Sequence, residues 1–350
     1  MVLDEVVRKN IQALFGHPMT ATTEYIATDD NVVPLSSEHD EIIVELVNGD
    51  HCDISKSTAK QLIELQCDQE VAFAKTIVAS PKDSAERQEV TATAYSTICS
   101  ILERLGQIRA AESELEATHD FVMGLDPRYT DLILRLLKQQ AARGINGGFF
   151  ELGFSSGVLL QQVANAGFRV GGLEVVQALV EQAKSRLTSQ HHSQLLHGDF
   201  RKQDLSGHVG QYSVVYWNDV FEHIPTDEIE DYLAVIRTLL EPGGKLVTIT
   251  PNWHMRPSDV TVQFAPPRTE AIGFHLKEYT LGEIVGMLEA AGFRSVQVPS
   301  LISRSRIYFS PAASLTRLKV LCEPVLERLP YSWAVQVCRR LGYNCTIATK

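Results

Sequence analysis

No run of 18 apolar residues occurs in the 350-residue sequence, so no helix that crosses a bilayer is expected. Cysteine is sparse: Cys52, Cys67, Cys99, Cys322, Cys338 and Cys345 lie scattered, without CxxC pairs or the spacing of a metal knuckle. The opening "MVLDEVVRKNIQALFGHP" mixes charge into every turn and lacks a secretory apolar core. Together these absences point to a cytoplasmic protein with reduced thiols. Positive charge is also short. With 32 Lys and Arg against 43 Asp and Glu, the net charge of -11 opposes a nucleic-acid backbone as the main partner. From Leu301 to Lys350, however, eight basic residues face two acidic ones, a local +6 that leaves -17 elsewhere. Such a segment suits an anionic ligand, an acidic neighbour or a solvated helical face. Internal repeats and low-complexity tracts are absent.

What is present is a soluble globular composition, 44% hydrophobic and 21% charged, in a chain long enough for two domains or one decorated domain. Residues 1–118 read as a mainly helical N-terminal region. Leu3, Val6, Val7, Ile11 and Leu14 fall at helical spacing up to Gly16-His17-Pro18. "EIIVELVNGDHCDI" reads as a hairpin turning at Asn48-Gly49. Two apolar stripes follow, one through Leu62, Ile63, Cys67, Val71, Ala74 and Ile77 or Val78, the other through Val90, Ala94, Ile98, Ile101 and Leu105. They suit core packing, a lid over a site or a homodimer interface, and carry no catalytic constellation.

From 119 onward strands and helices alternate, the pattern of a doubly wound, mostly parallel α/β sheet. The expected strands are Gly148–Leu152, Arg169–Glu174, Gln194–Gly198, Ser213–Asn218, Lys245–Thr250 and Ser295–Val298. The helices between them are Gly157–Ala166, Val175–Leu187, Glu228–Leu240 and Leu281–Ala291, the last opened by a Thr280/Glu283 capping box. Residues 301–343 read as a helical insertion of two helices. "NCTIATK" reads as a final edge strand, antiparallel at the far end of the sheet.

In such a sheet, ligands sit beyond the carboxyl ends of the strands. "FFELGFSSGVLL" places Gly153 and Gly157 where the first strand turns into its helix, and glycine there lets backbone approach a ligand. A dinucleotide fingerprint would require a glycine at position 155, which is serine. Glu174 ends the second strand, where a carboxylate can accept from both hydroxyls of a ribose. "HGDF" ends the third strand, so Asp199 can accept from an adenine amino group and Phe200 can pack on its ring. "YWNDVFEHIP" and "LEPGGKLVTITPN" follow in order.

This succession, over roughly residues 145–300, resembles the class I S-adenosylmethionine-dependent methyltransferases. The resemblance implies a Rossmann-like seven-stranded sheet and S-adenosyl-L-methionine as cofactor. Glu151, Gly153, Phe154 and Gly157 would surround its methionine part and Glu174 would hold the ribose. Asp199 and Phe200 would flank the adenine, and Asn218, Asp219 and His223 would border the methionine end and the acceptor pocket. Ser155 departs from the family's usual second glycine.

Methyl transfer is an in-line displacement, and a hydroxyl or ammonium acceptor must also lose a proton. His254 in "TPNWHM" and His275 in "GFHLKEYT" are the candidate catalytic residues, as base or acceptor contact. Asp219, Glu222 and His223 share one helical face at i, i+3 and i+4, a spacing that a metal site uses. The same D-x-x-E-H run occurs in class I enzymes that hold no metal, and no metal is expected. The reading is thus a methyltransferase acting on oxygen or nitrogen of a small molecule. A protein acceptor, a non-catalytic cofactor-binding scaffold and a nicotinamide-dependent oxidoreductase are the competing functions. The missing central glycine and the "GDF" element oppose the last.

Overall fold

The computed structural model describes residues 41–112, 126–310 and 313–350. The apolar run through Leu3–Leu14 and the boundary expected near residue 118 lie outside them. A short antiparallel hairpin, β1 (Ile43–Glu45) and β2 (His51–Asp53), opens the described chain. Its connection is five residues long rather than a two-residue Asn-Gly turn. The Leu46 N–H donates to the Asp50 carbonyl at 2.8 Å, and Gly49 takes the left-handed conformation inside the loop (φ +82°). Two long helices follow, α1 (Ala59–Ala79) and α2 (Ala85–Glu112). Thr58 and Gln61 cap α1 reciprocally, which satisfies two otherwise orphaned backbone N–H groups. The stripes expected of this region are partly core: Leu62, Ile101 and Leu105 pack with Val44 and Ile54, while Phe73, Ile77 and Ala94 pack on Phe274.

After α3 (Pro127–Ala141), capped by Asp126 with proline in its first turn, strand and helix alternate. The elements are β3 (Gly148–Leu152), α4 (Val158–Asn165), β4 (Val170–Glu174), α5 (Gln177–Arg186), β5 (Leu195–His197), β6 (Tyr212–Asn218), α6 (Ile229–Leu239), β7 (Leu240–Ile249), α7 (Leu281–Ala290) and β8 (Arg294–Gln297). Central strands are covered on both faces, so neighbouring residues feed different cores. Phe149, Val214, Tyr216 and Val247 pack under α3, α4 and α5. Phe150, Val215, Trp217 and Leu246 pack under α6 and α7. The Pro242-Gly243-Gly244 turn survives as a bulge within β7: Leu240 pairs with Tyr212, but Lys245 already pairs with Val214.

Two expectations are corrected near the carboxyl end. Residues 301–343 contain a hairpin, β9 (Pro299–Ile302) and β10 (Ile307–Phe309), ahead of α8 (Ala313–Cys322) and α9 (Tyr331–Leu341). Its turn, Ser303-Arg304-Ser305-Arg306, has no glycine, asparagine or proline to announce it. The last strand, β11 (Cys345–Thr349), is no edge strand. It inserts between β7 and β8, antiparallel to both, in the order β5-β4-β3-β6-β7-β11-β8. Burial explains the position, since Cys345, Thr346, Ile347 and Ala348 are all buried, as a two-sided interior strand requires. The architecture is the seven-stranded, Rossmann-like doubly wound sheet expected, with helices before it. Among the described residues, no helix is long and apolar enough to cross a membrane.

Candidate active site

At the carboxyl ends of β3, β4, β5 and β6 lies an open cavity of ≈ 2750 Å³. The β3–α4 loop forms part of its floor. Gly153 (φ +72°) and Gly157 (φ +80°) both take left-handed backbone, and a Cβ on them would sit 2.7 Å from Val220 Cγ2 and 2.6 Å from Ala183 Cβ. Ser155 shares that conformation (φ +49°) without being glycine. Its compensation is a hydrogen bond from its N–H to Glu174 Oε2 at 2.8 Å. Glu174 Oε1 accepts from the Val175 and Val176 N–H groups at 2.8 and 3.2 Å. Burial raises the Glu174 carboxyl, opposed by those three hydrogen bonds. A carboxylate has about four acceptor positions, so one remains for a ligand hydroxyl.

Across the cavity, Asp219 also holds left-handed backbone (φ +52°) while its N–H donates to the Ile249 carbonyl at 3.1 Å. Non-glycine residues held this way concentrate at functional sites. Asn218 donates to Asp219 Oδ2 at 2.8 Å. Asp219 lines the cavity, and the protein packed around it raises its carboxyl, opposed by the nearby His275 and the Asn218 bond.

The turn after β6 then supplies Glu222 and His223, and the loop before α7 supplies His275. Glu222 is 0% exposed. Its Oε2 accepts from the Thr250 hydroxyl at 3.0 Å, and its Oε1 has no hydrogen-bond partner. Burial first, and Asp219 second, push its carboxyl up. The His223 Nδ1 bonds the Phe274 carbonyl at 2.8 Å, so it carries the proton and leaves Nε2 with a lone pair. Burial and the neighbouring His275 hold this ring neutral, down to about 3. Burial alone would also lower His275, but its 3.0 Å bond to Glu278, with the charges of Glu222, Glu278 and Asp259, prevails and raises it to about 9. With its proton held to about 9, His275 in the protein by itself fits the acceptor contact of the two roles expected for it better than the base.

Asn218, Asp219, His223, Gly153, Glu174, Asp199 and His275 all line the one cavity. Of the other expected residues, Phe200 alone reaches it. His254 is 5% exposed and lies away from the cavity. Its Nδ1 meets Glu327 at 2.9 Å, and Arg256 pairs with the same carboxylate, so His254 bolts the loop after β7 to the carboxyl-terminal helices. Glu151 and Phe154 are buried behind the loop, Phe154 against Gly172, and Gly157 packs on Ala183. Phe200 reaches the wall, but its ring is 2% exposed between Phe150 and Tyr232, so it presents no free face to a purine. Asp199 accepts from the Arg201 N–H at 2.9 Å and pairs with the Arg201 guanidinium, which also meets Glu228 and Asp83.

Part of the wall comes from the helices for which a lid was one expectation, through residues not singled out from sequence as site residues. Glu70 and Cys67 of α1, with Arg87, Tyr95 and Cys99 of α2, face the cavity. Arg87 ties α2 to Asp227 and Glu228 at 2.8 and 2.9 Å. Glu70 Oε2 accepts from the Phe274 N–H at 3.2 Å, and burial pushes its carboxyl up to about 7. The available signal was a carboxylate three residues after Cys67 and four before Ala74, inside an apolar stripe.

Because the folded Glu70 holds its proton above the ordinary 4.5, it costs stability as pH rises from 4.5 towards 7 and that cost is constant beyond. Glu70→Gln should thus match the native protein at pH 4 and exceed it at pH 8, by about 3 kcal/mol. Urea unfolding at the two pH values measures this. A variant less stable than the native protein at pH 8 would show that the charged carboxylate is welcome there.

Residues 150–246 match the family model described as a methyltransferase domain. A search of curated proteins found no match. Among solved structures, similarity extends to an amino pentose methyltransferase of calicheamicin biosynthesis from Micromonospora echinaspora. That likeness has 28% identity over 35% of this chain and 50% of that one, with TM-score 0.30. The chain therefore spans half the length of that relative. It is also similar to a methyltransferase from Archaeoglobus fulgidus (13% identity, 63% of this chain, 94% of that, TM-score 0.38). A third likeness is human N-acetylserotonin methyltransferase (13%, 82% and 67%, TM-score 0.41). With the matched segment running from β3 into β7 and the glycine loop, Glu174 and Asp219 at its strand ends, residues 150–246 form a methyltransferase domain on a Rossmann-like sheet.

Proposed function

We propose that the protein moves the methyl group of S-adenosylmethionine to an oxygen or nitrogen of a small molecule. The observation that carries this reading is one cavity shared by two unlike ends. One end has the Gly153–Gly157 loop and Glu174, and the other has Asp219, His223 and His275. Single-ligand pockets run to about 300–1,000 Å³, so ≈ 2750 Å³ leaves room for cofactor and acceptor together.

The residues fit the cofactor. The spare acceptor position of Glu174 suits a ribose hydroxyl, Asp199 suits the adenine amino group, and Asn218 and Asp219 suit the methionine end. When bound, the sulfonium supplies the methyl electrophile. The chain's own residues hold the acceptor in line with it, and such positioning accounts for most of the rate in a displacement of this kind. Helices α1 and α2, fastened by Arg87 to Glu228, act as a lid that excludes water. A net charge of -11 favours a small acceptor over a polyanion. Free thiols at all six cysteines suit the cytoplasm.

Parallel calorimetric titration with S-adenosylmethionine, S-adenosylhomocysteine and NAD tests the reading, followed by an acceptor screen with labelled cofactor. Binding of the first two without NAD is expected. Binding of NAD alone would overturn it.

A further inference from the structure

We propose that Glu222, His223 and His275 bind a divalent transition cation of the zinc class at the acceptor end of the cavity. One ligating atom of each lies within 4.8 Å of the other two. The remaining atoms of the three groups are already committed in a telling pattern. His223 Nδ1 bonds the Phe274 carbonyl, His275 Nδ1 bonds the Glu278 carboxylate, and Glu222 Oε2 is held by the Thr250 hydroxyl. Metal-ligating histidines almost always give their other ring N–H to a carbonyl or carboxylate, which fixes tautomer and ring direction. The atoms left over are the two Nε2 nitrogens and Glu222 Oε1. That oxygen is buried without a hydrogen-bond partner, a costly condition that a cation relieves.

Two imidazoles and one carboxylate suit zinc with a fourth position open, whereas magnesium and calcium take all-oxygen sets. Tetrahedral bonds of about 2.1 Å place ligands about 3.4 Å apart, so the three side chains close in by about 1.5 Å at most. The spacing of Asp219, Glu222 and His223 had offered a different set. Folding brings His275 from 52 residues beyond His223 into the cluster, and Asp219 is not part of it.

This site deepens the methyl-transfer reading and rests on it for its use. An acceptor hydroxyl held at the open fourth position would have a lowered pKa and would give its proton to bulk water before the lid closes. Its oxygen would then form the new bond to the methyl carbon as the carbon–sulfur bond breaks, the electron pair staying on sulfur.

Titrating the metal-stripped full-length protein with zinc chloride, and separately following the visible spectrum with cobalt(II), tests the site. One zinc per chain is expected, with tetrahedral cobalt bands. Glu222→Gln and His275→Ala should each weaken that zinc at least 10-fold, and the supporting Glu278→Gln should weaken it 10- to 100-fold. Affinity for S-adenosylhomocysteine, measured on each variant, checks that the fold and cofactor site survive. No stoichiometric zinc on the native protein, or native affinity in all three variants, overturns the site. S-adenosylhomocysteine binding without zinc binding overturns the cation and leaves the methyltransferase reading intact. Zinc binding without S-adenosylhomocysteine does the reverse.

Discussion

His275→Ala will turn over about 10²- to 10⁴-fold more slowly than the native protein while binding S-adenosylhomocysteine with unchanged affinity. The size follows from what the ring does at the acceptor end. Without a cation its Nε2–H faces the cavity on a ring charged through Glu278, and with one bound that nitrogen is a ligand. Either role is lost with the imidazole, and neither touches the Glu174 end proposed for the cofactor. His254→Ala is the matched control. That histidine lies outside the cavity in a pair with Glu327, so its removal should lower the melting temperature and leave the kcat of folded protein unchanged. Equal kcat for the native protein and His275→Ala would remove His275 from the chemistry. A slow His254→Ala with intact folding would restore the base expected from sequence.

That the two histidines part in this way shows what the sequence could and could not carry. The fold was largely legible because its determinants are local. Gly148–Leu152 was expected as a strand and is one, bounded by Gly147 and the left-handed Gly153. The Thr280/Glu283 capping box starts α7 at Leu281 as read, because the signal is four residues long and complete in itself. The place of β11 was not legible in the same way. Nothing in "NCTIATK" says whether it pairs at an edge or between strands, since that depends on β8, which closes the sheet fifty residues earlier. The hairpin of β9 and β10 was hidden by a serine–arginine turn.

The strand-end side of the cavity was readable for the same reason, since each contributor ends a strand whose sequence announces it. Placing Glu174, Asp199, Asn218 and Asp219 on its wall needs only the rule that ligands sit at strand ends. The opposite side is assembled by tertiary contact. Glu70 comes from a helix more than 200 residues before its partner Phe274, and Glu278 sets the charge of His275 from the next loop turn. His254 and His275 look equivalent in sequence, each a polar residue in a loop after the fifth strand. What separates them is whether a carboxyl-terminal carboxylate or the cavity receives the ring. Phe200 is the reverse lesson. An aromatic beside Asp199 reads as an adenine platform, but the apolar surface of Phe150 and Tyr232 claims it first.

The same comparison fixes what Glu174→Ala should do, and why it should cost more than a ribose contact alone. In the structure this carboxylate faces the cavity and is also structural, because it accepts the N–H groups of Ser155, Val175 and Val176. Losing the ribose acceptor leaves hydroxyls unpaired, worth about 1–3 kcal/mol of cofactor affinity. Losing the bond to Ser155 also releases a non-glycine residue from left-handed backbone, whose own cost is about 1–2 kcal/mol. The loop is then free to relax away from the geometry that receives the methionine part. Calorimetry with S-adenosylhomocysteine should therefore give a loss in Glu174→Ala at or above the upper end of the ribose figure, roughly 100-fold or more. Glu174→Gln keeps one acceptor oxygen but turns an amide donor towards backbone donors, so it should fall between. A second change separates the two contributions. Ser155→Gly removes the backbone strain, so Ser155→Gly with Glu174→Ala should recover the structural share and leave the ribose share lost. Unchanged affinity in Glu174→Ala would take the residue out of the cofactor site. Full recovery in the double variant would mean that its carboxylate serves the loop and never the ribose.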